Sequence, residues 1–329
     1  MEKLDEFKIG IMINDANSTD ALYANGNQQC KVFIRVVKAI YVDEYSPAQV
    51  APLSPTERQS LTVLPYSNEL RPPQAMGWSC DVEASDTFDE GLWRGTASVG
   101  LRGSTATTSA GANTAPEELY RYMRFDGRLA PLQPTTFMAC ITLDNGKQYT
   151  THFDDGDKGF ESSITIAPQR PYVLHVNDLM FNRSNAYSAD SGGVTVNTYY
   201  WALPGGLRIV RESFTGAGTS NPNLGYAYAM KQGGYFRLGM AINVGVTSLT
   251  LRQIDGTISS SPYANDQVPL INSDCILRGA RYANRNSPNT SNYDNLMYWT
   301  ITDNYGCESR FVLKANWEDT GDTLELLNG

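Results

Sequence analysis

The chain has 329 residues, 41% of them hydrophobic, and a formal net charge of −9 at pH 7. That length suffices for two cores of ordinary domain size. The acidity, with no run of Lys or Arg, excludes the phosphate-neutralising surface of a nucleic-acid binder, and no apolar stretch reaches the ~18 residues of an integral membrane helix.

The start, MEKLDEFKIGIMIND, mixes acidic and apolar residues and lacks the basic end and apolar block of a secretory signal. It predicts synthesis in the cytoplasm without a signal peptide, and leaves open release by lysis or by a specialised secretion machine. Phe7, Ile9, Ile11 and Ile13 recur at every second position, the pattern of a strand with one apolar face. The polar segment 14–27 follows directly, so this strand is expected to be an assembly arm that pairs with the sheet edge of a neighbouring copy. Cys30, Val32, Ile34 and Val36 repeat the alternation. Helix is expected only in short pieces, at 54–60 and at 116–123 (PEELYRYM).

Residues 137–143 (FMACITL) and 147–153 (KQYTTHF) flank Asp144-Asn145-Gly146, a hairpin signal. Beyond it, Asp154, Asp155, Asp157 and Glu161 offer hard oxygen atoms to calcium. Their spacing is not that of an EF-hand and Lys158 stands among them, so a solvated acidic turn is the competing expectation; no other cofactor is expected. Pro168 and Pro171 bracket a polar step, and the predicted division is 1–167 and 168–329, two β domains.

Residues 224–246 (LGYAYAMKQGGYFRLGMAINVGV) alternate on both sides of a Lys231–Gly234 turn. A membrane-inserting hairpin needs two strands of equal length. Here about seven residues before the turn would face eleven after it, which favours two strands of a sandwich core. A last hairpin is expected where 297–302 (MYWTIT) and 307–313 (CESRFVL) flank Asp303–Gly306. Aligned at their Asp-Asn pairs, this hairpin and the one at Asp144 resemble each other, which suggests two domains of similar build. The sum is an all-β chain of two tandem β-sandwich-like domains, with few short helices and long Asn/Ser/Gly-rich loops of the kind that carry binding.

Chemistry is sparse. The two histidines, His152 and His175, belong to no recognisable catalytic motif. The five cysteines form no CxxC pair and read mostly as small buried hydrophobes. The polar set holds 8 Lys against 18 Arg, 24 Asn and 19 Tyr. Arg and Tyr are enriched where surfaces meet partners, and Lys is depleted there. The expectation is a non-catalytic structural or interaction protein that self-assembles, its partner being itself. Two alternatives are a β-pore toxin or effector acting on membranes, and a glycan- or receptor-binding module meeting a cell-surface ligand. For the last, Trp93 (GLWRG) and Trp317 (NWEDTGD) are the candidate sugar platforms, because their neighbours are polar.

Overall fold

A computed structural model describes residues 2–11, 17–42, 48–95, 116–152, 159–189, 193–216 and 221–329. The fold is all-β, built from sheets that are antiparallel except for one short parallel pair, with two short α-helices among the described residues. One compact unit ends at Pro171 and a second runs Tyr172–Gly329, with Arg94 and Gly95 grouped with the second.

The first unit contains β1 (Glu2–Ile11), β2 (Ser18–Thr19), β3 (Cys30–Ile40), β4 (Gln49–Ala51), α1 (Pro55–Ser60), β5 (Thr62–Pro65), β6 (Trp78–Asp81), β7 (Glu117–Phe125), β8 (Thr135–Thr142), β9 (Gln148–Thr150) and β10 (Ile164–Ile166). One sheet has the order β1-β3-β7-β6 with β4 beside β3, and the other the order β2-β10-β8-β5 with β9 beside β8. Their inward side chains form one core. Trp78 bridges the layers, its ring 4.8 Å from Phe125 on its own sheet and 4.7 Å from Phe137 on the other.

Residues 116–123 form strand, not the expected helix. Arg121, Met123 and Phe125 are buried at every second position, and β7 is paired on both sides, with β3 and with β6. Glu, Leu and Arg favour a helix, but pairing on two sides outweighs that weak preference. The buried Arg121 donates from Nε to the Leu61 carbonyl at 2.9 Å and from a terminal nitrogen to the Arg58 carbonyl at 2.7 Å, at the C-terminal end of α1. The helix at 54–60 forms as expected. Ser54 accepts the Glu57 N–H, and the Glu57 carboxylate accepts the Ser54 N–H at 2.8 Å.

Glu57 also carries a buried ion pair. It is fully buried, with Oε1 2.8 Å from Lys38 Nζ, and the same oxygen accepts the Asp144 N–H at 3.0 Å. Burial pushes the carboxyl up, but the Lys38 bond and the two N–H donors outweigh it and hold it below its ordinary value. A depressed carboxyl stabilises the fold above the unfolded value of about 4.3 and loses that contribution as pH falls through the folded value. Glu57→Gln is expected to cost about 1–3 kcal/mol at neutral pH and to flatten the acid limb. Urea unfolding at several pH values checks this; parallel acid limbs in wild type and variant would refute it.

The second unit contains β11 (Met180–Ala189), β12 (Val194–Ala202), β13 (Ile209–Thr215), β14 (Leu224–Gln232), β15 (Tyr235–Ile242), β16 (Ser248–Thr250), α2 (Leu251–Ile254), β17 (Gln267–Pro269), β18 (Ile276–Asn284), β19 (Tyr293–Asp294), β20 (Met297–Asp303), β21 (Glu308–Ala315) and β22 (Leu324–Asn328). The main sheet has the order β11-β12-β18-β15-β14-β19 and a second the order β13-β20-β21-β22.

The hairpin at 224–246 is the centre of this unit. Its turn is Gly233-Gly234, both at positive φ, so Lys231 and Gln232 stay in the strand and pair with Phe236 and Tyr235. The strands are therefore nine and eight residues long, not seven against eleven, and unequal length does not separate the two readings. Burial on both faces is what places this hairpin. Phe236, Leu238, Met240 and Ile242 pack under Leu249, Leu251, Ile254, Ile258 and Val268 from the segment that follows. On the opposite face a Cβ at Gly225 would lie 2.6 Å from Met297 Sδ, and one at Gly239 2.7 Å from the Leu324 side chain. The small residues admit the second sheet, as the alternation predicts.

The two Asp-Asn hairpins share one turn. Leu143 N–H bonds Lys147 O and Gly146 N–H bonds Leu143 O; Asp303 N–H bonds Cys307 O and Gly306 N–H bonds Asp303 O. Gly146 and Gly306 are both at positive φ. The turns therefore match glycine to glycine, one residue out of step with the Asp-Asn alignment.

Candidate assembly surface

A sheet edge exposes unpaired N–H and C=O groups and invites another strand unless it is blunted. β1 is blunted. It carries Glu2, Lys3, Asp5, Glu6 and Lys8, and near its C-terminal end Ser162 Oγ accepts the Ile9 N–H at 2.8 Å and donates to the Ile9 carbonyl at 2.9 Å. β13 carries Arg211 and Glu212, and β22 is five residues long with Glu325 within it.

β11 differs. It runs ten residues at the end of the main sheet, paired with β12 and, among the described residues, with no strand on its other side. Its sequence, MFNRSNAYSA, has one charge, Arg183. Met180 and Phe181 are 76% and 58% exposed. Phe181 is the register partner of Trp201 and Arg183 that of Tyr199. The Phe181 ring lies 5.8 Å from Trp201 and 6.2 Å from Tyr199, which stack on each other at 6.0 Å. The Arg183 guanidinium sits 5.3 Å from the Tyr199 ring centre. Because Tyr199 and Trp201 are buried, they form a rigid base beneath the exposed Phe181. A bulge between Asn185 and Tyr187 then turns the strand inward. There the Tyr187 hydroxyl donates to Asp266 at 2.5 Å, and burial followed by that carboxylate pushes the phenol well up. The open stretch is thus Met180 to Asn185.

The residues expected to form an assembly arm are placed elsewhere. β1 pairs with β3 of its own chain from Glu2 to Ile11, and Phe7, Ile9 and Ile11 are buried in its own core. The apolar face that suggested an arm packs inward instead; Ile13 lies outside the described residues. Trp93 is half-buried in the first unit and Trp317 is 46% exposed in the second. Trp317 Nε1 donates to Asp294 at 3.0 Å. Glu161 is exposed, while Asp154, Asp155 and Asp157 lie outside the described residues. Among the described residues no group of three or more His, Cys, Asp or Glu is placed to hold a metal. His152 meets Asn68 at 3.2 Å and the Tyr66 ring; His175 is exposed, 3.8 Å from Asp178. The five cysteines form no disulfide, and burial pushes the Cys30 and Cys140 thiols up to about 12. No described helix is long and apolar enough to cross a membrane.

No family matches the sequence, and no curated protein does. One solved structure, BspA_C_WT, is similar over 92% of this chain and 97% of its own, at 8% identity and a TM-score of 0.21. So loose a likeness decides neither fold nor function.

Proposed function

We propose that the protein is a non-catalytic structural or interaction protein that associates with a second copy of itself through the edge of β11. The open Met180–Asn185 stretch carries this reading. An Asn/Ser strand with a single charge suits antiparallel pairing with its own copy, because only Arg183 introduces a like charge. Main-chain bonds supply the attraction, and Met180 and Phe181 supply apolar surface. The scarcity of Lys beside abundant Arg and Tyr supports the same reading.

Sedimentation of the full chain over a range of concentrations tests it. The wild type is expected to shift from monomer toward a larger species. Met180→Lys with Phe181→Lys, on side chains that are largely exposed, is expected to weaken that association about tenfold or more, roughly 1.4 kcal/mol, with the thermal transition retained. A wild type that stays monomeric throughout, or a variant that assembles as before, would overturn the proposal.

A further inference from the structure

A cavity of about 480 Å³, open to solvent, lies over the main sheet of the second unit beside α2, within the size range of small-ligand sites. Its floor is apolar, made by Ala229, Leu238 and Ile254, and its walls carry Tyr226 and Tyr293. Thr257, Asn289 and Ser291 supply polar groups around it.

The polar wall is held by Asp255, a carboxylate 1% exposed. One oxygen accepts Thr257 Oγ1 at 2.7 Å, the Thr257 N–H at 3.2 Å and Asn289 Nδ2 at 3.1 Å, and the other accepts Ser287 Oγ at 2.8 Å. Asp255 thereby ties the loop at 287–289 to the turn at 255–257, and it positions groups rather than meeting a ligand. Asn289 in turn accepts the Ser291 N–H at 2.9 Å. At the rim stand the exposed Ser291 and the half-buried Tyr293. Burial pushes the Tyr293 phenol up to about 12, so it remains a neutral donor.

We infer that this cavity binds a neutral saccharide, in a role separate from the proposed assembly edge. The half-buried Tyr293 offers aromatic surface to the C–H face of a sugar ring, and the Thr257, Asn289 and Ser291 side chains offer polar groups to its hydroxyls. No Lys, Arg or His lines the cavity, so no side chain there would neutralise an anion.

Saturation-transfer NMR on the full chain tests this, with the methyl glycosides of glucose, galactose, mannose and N-acetylglucosamine as probes and N-acetylneuraminate as the anionic control. At least one neutral glycoside is expected to bind with a Kd of about 1 mM or tighter, and the control is not. Ser291→Trp, on an exposed loop position, is expected to block the cavity and abolish the signal without changing the fold. Tyr293→Ala is expected to weaken it at least severalfold. Absence of binding by all four glycosides, equal binding of the control, or a signal unchanged in Ser291→Trp would overturn the inference.

Discussion

Deleting residues 2–11 is expected to unfold the first unit, not to release a folded monomer. β1 contributes Leu4, Phe7, Ile9 and Ile11 to the core, each 3% exposed or less. Burying such a side chain stabilises a fold by about 1.5–3 kcal/mol, so the four together account for roughly 6–12 kcal/mol. That is comparable with the whole stability of an ordinary domain, about 5–15 kcal/mol. The deletion would also uncover Val32, Ile34 and Val36 on β3. Hydrogen exchange read separately on β3 and β8 is the measurement, because one transition need not describe two units. Wild-type protection of those strands in the truncated chain would show that β1 is dispensable.

Arg278→Ala is expected to destabilise the second unit by about 3–5 kcal/mol, the cost of breaking a buried charged network. Arg278 is fully buried on β18. It donates to the Val246 carbonyl at 2.6 Å, to the Ile271 carbonyl at 3.2 Å, and to the Asn243 carbonyl. These acceptors flank the segment 247–270, which covers the main sheet, so one guanidinium ties both of its ends to β18. Burial lowers the Arg278 pKa, with the Glu212 charge opposing that shift. Glu212, itself pushed up by burial, accepts N–H groups from Val244 and Trp299. Arg278→Lys should not rescue the loss, since one ammonium does not reproduce the planar fork. Urea unfolding of the three proteins decides this; a lysine variant as stable as wild type would refute the clamp.

Much of the fold was legible because hairpins announce themselves locally. Gly146, Gly233, Gly234 and Gly306 occupy turns at positive φ, a conformation that glycine adopts without steric cost. β7 was misread because Glu117, Leu119 and Arg121 favour helix, while its strand form depends on β3 and β6, which are distant in sequence. β11 is illegible in the sequence for a different reason: an edge strand exposed on both faces has no apolar alternation to detect. Its only signal was the adjacent Met180-Phe181 pair in a polar run. The cavity was beyond sequence reading altogether, because Asp255 and Asn289 meet only through the fold.

The hydroxyl of Ser162, bonded to Ile9 of β1, bears on valency. A body with a single open edge joins one copy by a two-fold contact, and the pair then has nothing further to offer; growth needs a second, different edge. By occupying both backbone groups of Ile9, Ser162 closes the longest rival to β11. In the proposed association through β11, this serine side chain would favour a pair over a polymer.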